Sequence, residues 1–161
     1  MRKIIAIASI LLISAVATER AEAQVQFGAN VSWGDDTDIG LGARLKFGLG
    51  SLTTRSNVEG RVTFDYFFPD GFDYWQVTGD GIYQIAPTGS VAPYLGGGLG
   101  LSRSSVDVSP GFSGSSTDFF LNLIGGLKFK PLGNIRPFAE ARFQIGDGSQ
   151  LVLAGGVFFG R

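Results

Sequence analysis

Charged side chains recur at alternating positions along this chain, and they are the residues whose types and spacing could do chemistry. They are Arg44 and Lys46; Glu59, Arg61 and Asp65; Asp80; Lys128; and Arg136, Glu140 and Arg142. Two carboxylates a few ångströms apart can share acid and base roles in hydrolysis, which Glu59, Asp65 or Asp80 could supply. The cations interleaved with them argue for ion pairing instead, because a buried charge without a partner is prohibitively costly to desolvate. Nucleophilic catalysis lacks its usual parts. The 161 residues include no histidine to take a proton from a serine, and no cysteine to act as thiolate or soft metal ligand. Neither an enzyme nor a cofactor is expected.

A second group of acids, Asp35, Asp36, Asp38, Asp70 and Asp73, sits in short Gly- and Pro-containing connections. Clustered carboxylates suit hard cations, and Asp35-Asp36-Thr37-Asp38 could bridge through a divalent ion to an anionic surface. Solvation of a loop explains the acids equally well, since one short loop gives fewer ligands than a calcium cage needs, and no metal site is assigned. The run Tyr94 to Gly100 has the glycine content of a phosphate-binding loop, but such a loop must open a helix. Here apolar alternation continues on both sides, so the run reads as a strand. A formal net charge of −1 gives no basic field for nucleic acid.

The element that positions these charges is the β-strand. From Val58 to Phe67, Glu59, Arg61, Thr63 and Asp65 alternate with Val58, Gly60, Val62, Phe64 and Tyr66, a period of two that only a strand produces. The same rhythm predicts strands at Val25–Trp33, Ile39–Leu49, Val58–Phe67, Tyr74–Ile85, Val91–Arg103, Asp118–Lys130, Ile135–Ile145 and Gln150–Phe159. An even number of strands brings both termini to one side, as in bacterial outer-membrane barrels. The connections then divide by charge. Those on one side each contain aspartate, including a long Ser/Gly stretch from Ser104 to Thr117; those on the other contain no acid, and Arg55 and Lys130 lie in or beside them. Aromatics collect near strand ends, with Trp33, Phe67, Phe68, Tyr74, Trp75 and Phe119 toward the acidic side. Phe27, Phe47, Tyr83, Phe129 and Phe159 lie toward the other, as interfacial belts would require.

Residues 1–23 read as a removable leader: Arg2 and Lys3 form a basic start, Ile4 to Ala17 an apolar core, and Ala21-Glu22-Ala23 a small-x-small cleavage site. The apolar run is shorter than the roughly 20 residues that span a bilayer. The expected organisation is a signal peptide at 1–23 and one barrel domain at 24–161.

Eight strands enclose a lumen just wide enough for side chains to fill. A basic side chain at the bilayer midplane costs roughly 2–4 kcal/mol, so the charged parity is expected inside, forming an ionic plug. Lumenal glycines such as Gly40, Gly42, Gly96, Gly98 and Gly100 would leave room for arginines to cross. Two alternatives share the pattern. One is a narrow path for ions or small solutes along the same charges. The other is a soluble lipocalin-like barrel with the faces reversed, its apolar parity lining a ligand cavity.

Three stretches carry a family likeness: Pro93 to Gly100, Arg136-Pro137-Phe138-Ala139-Glu140-Ala141-Arg142, and Leu151 to Phe159. On these, the chain from Gln24 to Arg161 resembles the small eight-stranded outer-membrane barrels: the transmembrane domain of OmpA, OmpX and the opacity-type, porin-family proteins. The resemblance implies an all-β, antiparallel up-and-down transmembrane barrel in the bacterial outer membrane, with a structural or surface-interaction role. Implied partners are outer-membrane lipid, lipopolysaccharide, the barrel-assembly machinery and a loop partner of unknown identity. The family's closing strand usually ends in an aromatic residue, whereas here Gly160 and Arg161 follow Phe159, a weaker assembly signal. Three of the four acidic-side connections are short, so adhesion is less expected than in the family at large.

Overall fold

The computed structural model describes residues 25–49, 57–69, 72–86, 89–107, 113–146 and 149–160. The leader expected at 1–23, together with Arg55 and Asp70, lies outside the described residues. Eight strands form in chain order: β1 (Gln26–Gly34), β2 (Asp38–Gly48), β3 (Val58–Phe67), β4 (Asp73–Gln84), β5 (Val91–Asp107), β6 (Ser113–Phe129), β7 (Ile135–Ile145) and β8 (Gln150–Phe159). Each pairs antiparallel with its neighbours in sequence. The sheet closes where β1 meets β8, with Phe27 opposite Phe159. Closure leaves no unpaired edge around the barrel wall. It also brings the start of β1 and the end of β8 to one rim, here called the terminal rim.

Which face is inside follows directly from the alternation. On β1, Gly28, Asn30, Ser32 and Gly34 are buried while Phe27, Ala29, Val31 and Trp33 are exposed. On β7, Phe138, Glu140, Arg142 and Gln144 are buried while Ala139, Ala141, Phe143 and Ile145 are exposed. Outward positions are strongly apolar, with Leu99 at 68 %, Phe119 at 77 % and Leu123 at 57 % exposure. The charged parity is therefore inside, the reverse of a soluble barrel with an apolar cavity.

Two expectations require correction. Phe67 and Tyr74 do not join the acidic-side aromatic belt. Phe67 shares the inward parity of Asp65, and Tyr74 that of Gln76; Phe67 is fully buried, and the two rings meet inside at a centroid distance of 5.6 Å. Trp33, Phe68 and Phe119 are exposed as a belt requires, as are Phe27, Tyr83, Phe129 and Phe159 toward the terminal rim.

The described parts of the stretch Ser104–Thr117, residues 104–107 and 113–117, are strand rather than loop. Pairing of β5 with β6 continues from Arg103↔Thr117 to Asp107↔Ser113, whereas β4 reaches only Ser105 and β7 only Leu121. The two strands thus leave the barrel as a two-stranded ribbon. Ser104, Ser105, Ser115 and Ser116 give it little apolar surface, which suits water rather than lipid.

The β1–β2 connection is tight. Gly34 pairs with Asp38, leaving three residues in the turn, and Asp38 takes the left-handed conformation at φ 58°. The left-handed residue thus follows the three-residue turn as the first residue of β2, a conformation that aspartate tolerates better than most.

Candidate functional site in the barrel lumen

Inward-facing side chains from all eight strands meet in three tiers. At the terminal rim, Glu59 accepts from Lys46 at 3.0 Å, from Lys128 at 2.8 Å and from the Gln84 amide at 2.8 Å. The two ammonium groups also lie over the Phe158 ring, at 5.4 Å and 5.9 Å, which is cation–π range.

The middle tier converges on Glu140. Arg44 donates to its Oε1 at 2.9 Å, Tyr94 to its Oε2 at 2.7 Å, and Arg61 also to Oε2. Arg142 Nε stands 3.6 Å from Oε1. Asp80 is tied into the same tier through Arg61 at 3.4 Å, Asn122 at 3.1 Å and Thr78 at 3.0 Å. The Arg44 guanidinium lies 4.3 Å from the centre of the Phe138 ring and donates to Asn30 at 2.9 Å.

In the upper tier, Asp65 accepts from Arg142 at 2.6 Å, Asn30 at 2.8 Å and Gln76 at 3.2 Å. A chain of amides leads from it toward the acidic rim, Gln144 donating to Gln76 at 2.8 Å and Gln150 to Gln144 at 3.3 Å.

Of the sequence-predicted lumen residues, Arg44, Lys46, Glu59, Arg61, Asp65, Asp80, Lys128, Glu140 and Arg142 all take part in ion pairs here. Arg136 does not. It sits half-buried at the terminal rim, without an ion pair among the described residues. Among the neutral partners, Asn30 and Gln144 are on the parity the sequence turns to the lumen, while Gln76, Tyr94 and Asn122 are not singled out by it. Gln76, Asn122 and Gln144 share the parity of Asp80, Lys128 and Glu140 on their strands, whereas β1 carries no charge beside Asn30, and Tyr94 has the opposite parity to Arg103.

The lumenal glycines accommodate different neighbours from those expected. Gly100 stands opposite Phe120 and Gly126 opposite Tyr94, and in each case a Cβ on the glycine would run into the ring. Gly28 faces Phe158 and Gly40 faces Phe67 in the same way. At these four positions a ring on the next strand fills the volume the absent side chain leaves, whereas beside Gly42, Gly96 and Gly98 the neighbours are Asp65, Ile82 and Asp80.

The acids of the other group have separate fates. Asp35 Oδ1 accepts the backbone N–H of Leu151 at 3.0 Å, which ties the β1–β2 turn to β8. Asp73 accepts the hydroxyl of Tyr66. Asp36 lines a cavity of about 350 Å³ at the acidic rim, together with Thr37, Tyr74, Ser102, Asp118 and Gln144. Asp38 is exposed.

Chemically, the lumen holds charge rather than offering it. Both oxygens of Glu140 are occupied by donors, and its side chain is fully buried. Glu59, the most accessible lumen acid at 20 %, already serves two lysines.

No family model matches the sequence, and no curated protein matches it. Solved structures do match in fold. The N-terminal β-barrel domain of OprF from Pseudomonas aeruginosa aligns with a TM-score of 0.69 at 18% identity, covering 86% of this chain and 98% of that one. Neisserial surface protein A aligns with a TM-score of 0.61 at 20% identity, covering 85% and 96%. The outer membrane enzyme PagL aligns with a TM-score of 0.51 at 17% identity, covering 83% and 97%. The fold is thus that of the small eight-stranded outer-membrane β-barrels.

Proposed function

We propose that this chain is a non-enzymatic outer-membrane β-barrel protein, exported by a leader at residues 1–23, with a structural or surface-interaction role and a lumen sealed by its own side chains. The observation that carries the reading is the pairing of an apolar outer wall with ion pairs that cross the interior. Arg61 on β3 meets Glu140 on β7, and Arg142 on β7 meets Asp65 on β3; β3 and β7 stand four strands apart in either direction around the closed sheet. In water, so continuous an apolar wall would drive association. In a bilayer it is the solvent-facing surface, while the backbone is satisfied within the closed sheet.

A non-catalytic role is supported by the absence of histidine and cysteine from the sequence and by the saturated state of Glu140 and Asp65. PagL has the same fold and is an enzyme, so fold alone does not decide the matter; the lumen chemistry carries this part of the reading. The acidic rim and the β5–β6 ribbon are the surfaces offered to lipopolysaccharide or to another partner outside the bilayer.

Conductance of the reconstituted protein in a planar bilayer tests the sealed lumen. The expected record in concentrated potassium chloride shows no stepwise current above that of the protein-free bilayer. Reproducible unitary steps would replace the sealed lumen with a narrow solute path along the same charges.

A further inference from the structure

The two ends of the barrel differ in charge, and the terminal rim carries a built cavity. Lys128, Lys130 and Arg136 line a space of about 260 Å³, together with Ser90, Val91 and Phe129. No acid lines it. Lys128 is held at 2.8 Å from Glu59, but that single carboxylate is shared with Lys46 at 3.0 Å, so the cluster keeps a surplus positive charge. Lys130 and Arg136 make no ion pair among the described residues. The connections on this side, residues 50–57, 86–90 and 131–134, contain no acid in the sequence. Three cations so placed, with one hydroxyl beside them, suit an anion with several acceptor oxygens. Arginine can bind such a group in bidentate fashion, and lysine can add point charge.

The cavity also has an apolar side. Phe129 is 40 % exposed on the outer wall, and Leu127, two residues earlier on β6, is 41 % exposed on the same face. A ligand seated among the cations therefore borders the surface that faces hydrocarbon. A free phosphate ion makes no use of that wall, whereas a lipid phosphate places its acyl chains along it.

We infer that Lys128, Lys130 and Arg136 form a phosphate-binding site at the terminal rim that seats the headgroup of an anionic phospholipid. The inference rests on the membrane-barrel reading above. It adds a specific lipid contact on the side away from the acidic rim.

Native mass spectrometry of the detergent-solubilised protein tests it, with phosphatidylglycerol and phosphatidylcholine of identical chains titrated in parallel, and inorganic phosphate as competitor. The expected result is a preference for phosphatidylglycerol of roughly tenfold or more, since each basic residue near an anionic lipid adds about fivefold. The double substitution Lys130→Gln, Arg136→Gln should cut that preference to about fivefold or less, what Lys128 alone supplies, while leaving the Lys128–Glu59 pair in place. Equal binding of the two lipids, or a preference that the double substitution leaves unchanged, overturns the inference. Displacement of phosphatidylglycerol by an equal concentration of inorganic phosphate overturns the lipid assignment in favour of a free anion. The same samples, run on a gel with and without boiling, report whether the barrel has formed. Loss of the heat-dependent shift in the unsubstituted protein defeats the membrane-barrel reading and this inference together, whereas a retained shift with no lipid preference defeats this inference alone.

Discussion

Arg142 on β7 reaches across the lumen to Asp65 on β3, with Nη2 2.6 Å from Oδ2 and both side chains fully buried. The two strands lie on opposite sides of the closed sheet, so this one contact braces the barrel through its centre. Removing one partner of a buried pair is far more damaging than the net worth of the pair, because the other charge is stranded. Arg142→Ala should therefore lower unfolding stability by about 3–5 kcal/mol. Urea titration of the protein reconstituted in vesicles, followed by tryptophan fluorescence, measures it.

The adjacent residue should behave differently. Ala141 is exposed on the outer wall midway along β7, opposite Gly125 on one side and Leu153 on the other. Ala141→Arg places a guanidinium against hydrocarbon at a cost of roughly 2–4 kcal/mol. The expected effect is reduced yield in membrane insertion from urea, scored as the fraction of heat-shiftable protein. Equal yields for Ala141→Arg and the unsubstituted protein would contradict the assignment of faces.

Two neighbouring glycines make a sharper pair. A Cβ at Gly126 meets the Tyr94 ring, whose hydroxyl holds Glu140. A Cβ at Gly125 finds nothing nearer than Leu95 Cδ2 at 3.8 Å. Gly126→Ala should therefore cost about 1–3 kcal/mol by overpacking, while Gly125→Ala should stay within about 0.5 kcal/mol of neutral. Unfolding of the two variants side by side checks the contrast.

Asp35 is a structural residue rather than a free surface acid. Its carboxylate accepts the Leu151 amide at 3.0 Å, and its own N–H donates to the Leu151 carbonyl at 3.2 Å. Asp35→Ala should leave global stability lowered by only about 0.5–1.5 kcal/mol. Amide exchange at Leu151 should accelerate, as NMR in detergent micelles would show.

The strand positions were legible because one face of every strand must meet an apolar medium and the other must not, and β3, β7 and β8 run between the residues expected of them. Phe67 and Tyr74 mislead because aromatics near strand ends resemble an interfacial belt; their shared parity with Asp65 and Gln76 is the stronger signal. The ribbon of β5 and β6 resembles a loop in sequence because, beyond the closed barrel, its serines have no apolar face to alternate against. Which charge meets which is a different kind of information. Glu140 collects donors from β2, β3 and β5, a convergence set by the register of all eight strands and by barrel closure. No local pattern on β7 encodes it. The pairing of glycines with rings across strands needs that register too.

The central claim is a closed barrel with an apolar outer wall, embedded in the outer membrane. Gel mobility of the protein taken from outer-membrane fractions in mild detergent, with and without boiling, tests it most directly. The account predicts that the protein is found in those fractions and runs at a different position after boiling, because the hydrogen-bonded sheet survives the detergent until heat opens it. Recovery in the soluble periplasmic fraction, with one mobility regardless of heating, would contradict it.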